Sequence, residues 1–198
     1  MKKRTVMTLG IVALVAVLAA AGASVAWLTS AASTTNTMIP ATVEIQVVEE
    51  NFTPPATVTV GTEVNKDVSV KNLETGTDHT GTAGRPGAYA YIRVALVPVW
   101  RNSDNTGTAL PIGNVQLNTT AGDSNDWFYS DGYYYYKNPV APGATTSKLL
   151  DSYKVTSLTD EYAGKKLEIT VLASAVQSIS DAKNNWPAAA VAKLSPMS

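Results

Sequence analysis

The chain contains no cysteine and a single histidine, His79. Without cysteine there is no disulfide scaffold, no thiolate zinc site and no cysteine nucleophile. One histidine cannot build a multi-histidine metal centre and leaves little room for a Ser-His-Asp triad. Charged residues amount to only 16%, against about a quarter in typical domains, and the net charge is −1. Phosphate binding requires a basic surface, so nucleic acid is not an expected partner.

The composition favours one folded domain with tails. The chain has 198 residues, of which 45% are apolar, enough for a packed core. Small and polar residues, mainly Thr, Ser, Asn, Gly and Ala, fill the place of the missing charges, which is typical of exported β-rich proteins. We predict neither an enzyme nor a cofactor.

The N-terminus has the pattern of a secretory signal peptide. Basic residues 2–4 precede an apolar run that ends near Trp27 in a cluster of small residues. The small residues favour cleavage after Ala26 or, alternatively, after Ala23. An uncleaved membrane anchor is the other interpretation, since the run is just long enough to span a bilayer. We predict a signal peptide helix over residues 1–26, with cleavage between Ala26 and Trp27, and membrane contact only through the uncleaved signal.

Residues 27–40 follow this junction as a small, polar segment without helical periodicity. Isolated apolar side chains punctuate it: Trp27, Leu28, Met38 and Ile39. The segment is either a flexible tail or an extended strand that awaits a partner.

Alternating apolar residues then predict β-strands. Val43, Ile45 and Val47 alternate with polar residues, and residues 88–100 give the strongest strand signal. In that strand Arg93 spoils one face, so the other face is the expected core face, carried by Ile92, Val94 and Leu96.

Pro98 suggests an edge or a bulge near the end of the strand over residues 88–100. A last long strand covers residues 166–177. Short strands and frequent turns predict an all-β sandwich over residues 41–178 and a tail over residues 179–198 with short helical turns.

Loops rich in Asn, Asp and Gly weakly resemble calcium sites. Asn102–Gly107 mimics the start of a calcium loop, but Gly113 stands where the bidentate Glu is required. Asp123, Asn125 and Asp126 are an equally weak signal. Ordinary turns explain both loops, and His79 is interpreted as an exposed loop residue. We predict no catalytic and no metal-ligating residue.

Four consecutive tyrosines, Tyr133–Tyr136, point alternately to the two faces of a predicted strand. Strand packing explains most of this aromatic content. Aromatic rings also stack on sugars, so a carbohydrate-binding surface is the alternative, and its candidate residues are Trp127, Tyr133 and Tyr135.

Several segments together resemble a known group of exported proteins. These segments are Ser-Val-Ala-Trp-Leu-Thr-Ser at the signal junction, Met-Ile-Pro-Ala-Thr-Val-Glu-Ile ten residues on, Lys66–Asn72, Ala90–Val94, Asp131–Lys137 with Pro142-Gly143, and the strand that ends in Ala173–Gln177. In their order and spacing they resemble the SipW-type alternate-signal-mediated exported proteins, related to TasA and camelysin. The resemblance covers most of the chain.

The resemblance implies a jelly-roll-like β-sandwich, exported through a SipW-type signal peptidase to the extracellular matrix or cell surface. TasA-like members polymerise by donor-strand exchange, in which the N-terminal segment of one subunit completes a sheet of the next. Here the apolar plugs are Trp27, Leu28, Met38 and Ile39, with Thr34, Thr35 and Asn36 in the backbone-paired stretch. Camelysin-like members have been labelled metalloproteases, but this chain lacks a zinc-protease pattern.

We therefore expect a secreted structural fibre subunit whose partner is a second copy of itself, joined head to tail. A monomeric carbohydrate- or surface-binding module is the alternative. A secreted peptidase is a third, disfavoured hypothesis.

Overall fold

A computed structural model describes residues 43–55, 57–76, 83–179 and 182–197. The predicted signal peptide, its cleavage junction, the whole donor segment over residues 27–40 and His79 lie outside the described residues. All described residues belong to one compact unit, Asn36–Ser198. None of its described helices is long and apolar enough to cross a membrane.

The described chain is almost entirely β-structure, which confirms the all-β prediction. Two single-turn 3₁₀ helices, Asp160–Tyr162 and Ala182–Asn185, and one short α-helix, α1 (Ala188–Val191), complete it. The strands are β1 (Ile45–Glu50), β2 (Glu63–Asn72), β3 (Thr75–Gly76), β4 (Arg85–Pro86), β5 (Ala90–Arg101), β6 (Val115–Thr119), β7 (Trp127–Ser130), β8 (Tyr133–Tyr136), β9 (Leu150–Val155) and β10 (Lys166–Gln177).

Eight of the strands form two antiparallel sheets. The first has the order β1-β2-β9-β6 and the second the order β10-β5-β8-β7, while β3 and β4 form a separate small ribbon. The second sheet contains one tight hairpin, β7–β8, whose turn is Asp131-Gly132. Both turn residues have positive φ, 51° and 83°, which suits the two-residue turn that matches the strand twist.

Side chains from both sheets meet in one core, which gives a sandwich-like architecture. The cluster joins Ile45 and Val70 of the first sheet to Ile92, Val94 and Trp127 of the second. The predicted core face of the long strand is therefore confirmed: Ile92 and Val94 are buried, and Leu96 packs against the same cluster. Burial of these apolar side chains on both inner faces holds the sheets together.

Pro98 lies in a part of β5 that pairs with β10 on one side and is not paired with β8 on the other. The β5–β8 pairing covers only Arg93 and Val94, whereas β10 accompanies β5 along its whole length. Along an antiparallel strand, the main-chain groups of successive residues point to opposite sides. Ala90 bonds towards Val140, away from β10, so Pro98, which has the same parity, lacks its N–H on the unpaired side. No ladder bond is lost, and the sequence-based expectation of a local edge agrees with this position.

The C-terminal segment (residues 182–197) covers the outer face of the second sheet. Trp186, Ala190 and Leu194 are buried there against aromatic residues of β5, β7 and β8, namely Tyr91, Phe128 and Tyr135. The hydroxyl of Tyr91 also donates a hydrogen bond to the carbonyl of Ser195 at 2.8 Å. Both faces of this sheet are therefore covered, one by the first sheet and one by the C-terminal segment.

Candidate functional site

Strand β10 is the outermost strand of the second sheet among the described residues. The Ala90–Val140 pair of hydrogen bonds fixes which main-chain groups of β5 point away from β10. It follows that even-numbered residues of β10 bond to β5, as the Ser178 N–H does to the Tyr89 carbonyl at 2.8 Å. The main-chain groups of residues 169, 171, 173 and 175 consequently point outward, along the edge.

This edge carries little of the protection that natural sheet edges use. Charged side chains, proline, bulges and short length normally prevent the addition of a foreign strand. Strand β10 is 12 residues long, and from Ile169 to Val176 it contains no charge, proline or glycine. The side chains of the outward-bonding residues point into the core instead, where Ile169 and Ala173 are buried.

The other three outer strands are less suited to pairing. In the first sheet, β1 ends in Glu49-Glu50 and β6 has five residues. In the second sheet, β7 has four residues. Among the described strands, β10 is therefore the edge that best fits an added strand.

A cleft of about 340 Å³ opens between the two sheets where β10 begins and β1 ends. Its apolar lining comes from both sheets and from the loop after β1: Phe52, Pro54, Tyr153, Leu167 and Ile169. Its volume lies at the lower end of the range for ligand sites, so it suits a side chain or a small molecule.

Lys66 forms one wall of the cleft, and its positive charge is compensated by an ion pair. The residue is only 4% exposed, and its Nζ donates to Glu49 Oε2 at 2.7 Å. The same ammonium lies 4.2 Å from the centroid of the Phe52 ring. A buried ammonium is tolerated when it is paired and has such a favourable environment.

Tyr153 is the unusual residue of the cleft. It is only 4% exposed and lines the cavity, yet its hydroxyl forms no hydrogen bond within the described residues. Burial raises the pKa of this phenol above its ordinary value, so the group is a neutral donor at physiological pH. A hydroxyl that lines the cleft without a partner among the described residues can donate to a hydrogen-bond acceptor.

A second ion pair stands at the same end of β10. Arg101 ends β5 and Glu168 is the third residue of β10, and the guanidinium contacts both carboxylate oxygens, with Nη2 to Oε1 at 3.2 Å. Hydrogen bonding from Arg101 lowers the pKa of Glu168, and the reciprocal contact raises the pKa of Arg101. Four of the five charged residues that line the cleft are thus paired, while the fifth, Lys166, donates to the Ser103 carbonyl at 3.5 Å. The paired charges and the apolar lining favour an uncharged occupant.

The aromatic surface predicted from the sequence is wrong in two of its three residues. Trp127 and Tyr135 are both 0% exposed, since each faces a covered side of the second sheet. Trp127 packs in the intersheet core, and Tyr135 lies under Trp186 of the C-terminal segment. Tyr133 is half-buried, with Arg93 stacked 4.2 Å from its ring centroid. The hairpin's exposed aromatic residue is Tyr129 instead.

The two loops weighed as calcium sites form ordinary turns in the described structure. Asp104 accepts hydrogen bonds from the main chain and the hydroxyl of Thr106, and these bonds lower the pKa of Asp104. Asp123 forms a salt bridge with Lys193 at 3.3 Å. Among the described residues, no three His, Asp or Glu side chains converge as a metal site requires.

No protein-family model, curated protein or solved structure matches this chain. The resemblance to SipW-type exported proteins therefore depends on the sequence motifs alone.

Sequence reasoning missed the cleft. Its walls come from β1, β2, β5, β9, β10 and two loops, which are far apart in the chain. One signal was available: Lys66 interrupts an apolar alternation, between Val64 and Val68, and thus occupies a position that faces inward. Its partner Glu49 and the neighbouring Phe52 could not have been assigned without the strand pairing.

Proposed function

We propose that the protein is a secreted structural subunit of an extracellular matrix or cell-surface fibre. In this proposal it polymerises with copies of itself through an N-terminal donor strand, after a SipW-type peptidase has removed residues 1–26. The proposal includes the jelly-roll-like form of the sandwich. The pairing of strands that are distant in sequence, β2 with β9 and β5 with β10, supports that form.

The observation that carries the proposal is the long edge of β10, which has no charged residue from Ile169 to Gln177. Its 12 residues would span about 40 Å at about 3.3 Å per residue. The donor segment, residues 27–40, has 14 residues and would reach about 46 Å when extended. The segment is therefore long enough to pair with all of β10. A strand donated in one direction from copy to copy gives a contact that does not close, so it propagates into a filament.

The test compares mature chains that begin at Trp27 and at Ala41, examined by negative-stain electron microscopy over a range of concentration and pH. We expect filaments from the first chain and monomers from the second, because only the first has a donor strand. Circular dichroism and a cooperative thermal transition serve as the control that the shorter chain is folded. Monodisperse monomers from both chains would remove self-assembly as an intrinsic property and favour the binding-module alternative.

The carbohydrate-binding alternative has lost most of its candidate surface. Two of the three aromatic residues assigned to it, Trp127 and Tyr135, are buried. Tyr129 is exposed and lies 4.9 Å from Tyr134, centroid to centroid, which is a small platform. No observation favours this alternative over the fibre.

A further inference from the structure

We propose that the cleft at the start of β10 is the socket for Ile39 of the neighbouring subunit, and that the donor strand runs antiparallel to β10. The inference rests on the proposed fibre function and adds two things to it. It identifies the side chain that the cleft receives, and it fixes the direction of the donated strand.

The end of β1 lies beside the beginning of β10, since Glu49 shares the cleft with residues 166–169. Val43 and Ile45, at the start of the described chain, belong to the same core cluster as Ala173 and Ala175, which lie further along β10. Strand β1 therefore runs opposite to β10 across the sandwich. The chain enters β1 away from the cleft, and the cleft lies at the other end of β1.

Head-to-tail stacking determines which part of the donor segment meets the cleft. If copies repeat in one orientation, the end at which the donor segment leaves one subunit meets the cleft end of the next. The segment is attached at residue 41, so residues near 40 reach the next subunit first, at its cleft. Its free end, Trp27, then lies towards the far end of β10. The donor strand consequently runs antiparallel to β10, as every pair of neighbouring strands in both sheets does.

Ile39 is apolar and uncharged, which fits a cavity lined by Phe52, Leu167 and Ile169 in which four of the five charged residues are paired. Met38, its neighbour, would point to the opposite face of an added strand. Pro40 follows at once, and the residue before a proline favours extended backbone, so Ile39 suits the end of an added strand. The free hydroxyl of Tyr153 can donate to a main-chain carbonyl of the incoming segment.

The absence of native cysteine allows a direct test by disulfide cross-linking. Two mature chains beginning at Trp27 are mixed before assembly, one with Ile39→Cys and the other with Leu167→Cys. A disulfide forms only when the two Cα atoms come within about 4.4–6.8 Å of each other. A link between residues 39 and 167 therefore shows that the donor segment occupies the cleft. The matched control pairs Leu28→Cys with Leu167→Cys. Mixed dimers are identified by mass after gentle oxidation of the filaments, and only links between the two chains are counted.

We expect a strong 39–167 link and no 28–167 link. A 28–167 link would overturn the inferred direction, and filaments without either link would overturn the socket, while the fibre function would stand in both cases. Failure of the wild-type chain to form filaments would instead remove the proposed function, and the socket with it.

A second variant tests the hydroxyl separately. Tyr153→Phe keeps the ring and removes a group that has no partner within the described subunit, so the Tm of the chain beginning at Ala41 should not fall. Loss of one hydrogen bond to the donor strand should raise the critical concentration for filament growth about three- to tenfold. An unchanged critical concentration would contradict a contact between this hydroxyl and the donor.

Discussion

The two outer strands of the second sheet differ in length and in what fixes them. Strand β7 has four residues, and its inward Trp127 is buried with its Nε1 donating to the Ser147 carbonyl at 2.9 Å. Strand β10 has 12 residues, pairs on one side only among the described strands and ends beside an open cleft. One edge is stabilised by aromatic side chains, whereas the other presents main-chain groups. The comparison separates a structural edge from one suited to assembly.

The largest effect is expected at the structural edge. Trp127→Ala removes a fully buried ring and should lower the free energy of unfolding by about 3–5 kcal/mol. The matched control on the same strand is Tyr129→Ala, which removes a ring that is 59% exposed and should cost at most about 1 kcal/mol. Urea denaturation of the two variants measures the difference. Equal losses would show that β7 is not fixed by its inward side chain.

Adjacent proline substitutions in β10 test the other edge. Leu172 pairs with Ala95 on the side of β5, so Leu172→Pro removes a ladder bond and should destabilise the fold by about 2–4 kcal/mol. Val171 directs its N–H outward, so Val171→Pro should cost only about 1 kcal/mol, mainly through altered packing. Thermal denaturation of both variants measures this difference.

Filament formation should respond in a different order from stability. Val171→Pro, although folded, should fail to form filaments because the edge has lost a donor and carries a ring that obstructs an added strand. Abundant filaments from this variant would exclude β10 as the acceptor edge.

Arg93 links β10, β8 and the C-terminal segment on the outer face of the second sheet, and its replacement should have an intermediate effect. Its Nε donates to Ser174 Oγ of β10 at 2.9 Å, while its guanidinium lies between the rings of Tyr133 and Trp186. Arg93→Lys keeps the charge but loses the planar stacking, which should reduce stability by about 1–2 kcal/mol. Quenching of tryptophan fluorescence by iodide should increase as the C-terminal segment loosens. Unchanged quenching would mean that this cation does not hold the segment.

The sequence predicted the elements that depend on local alternation. The period-two pattern of β5 identified Ile92 and Val94 as core residues, and Arg93 correctly excluded its own face from the intersheet core. The long last strand was predicted as residues 166–177, and β10 has these bounds. Such patterns are readable because each residue's direction in a strand follows from its parity.

The features that depend on contacts between distant segments of the chain could not be predicted from the sequence. Tyr133 and Tyr135 were expected to present a surface because nothing in the local sequence shows that residues 182–197 fold back over them. The cleft likewise requires the pairing of β1 with β2 and of β5 with β10. Alternation indicates that two faces exist, but which segment covers each face is decided by tertiary packing.

The smallest expected effect concerns the charged end of β10. The folded-state pKa of Glu168 lies below its ordinary value, chiefly because Arg101 donates to the carboxylate. A lowered pKa contributes stability that is present above the unfolded-state pKa, about 4.3, and is lost as pH falls through the folded-state value. The Tm difference between wild type and Glu168→Gln should therefore be present at pH 6 and shrink from about pH 4 downward.

Other carboxylates do not obscure this comparison. Asp67 also has a lowered pKa, through Asn51 and Lys148, but it is common to both chains and cancels in the difference. A Tm difference that stays constant from pH 6 to pH 2 would mean that Glu168 acts through packing rather than charge. A Tm difference that follows the titration of Glu168 would show that its ion pair with Arg101 fixes β10 at the cleft. The uncharged remainder of the strand would then be the part left free for an added strand.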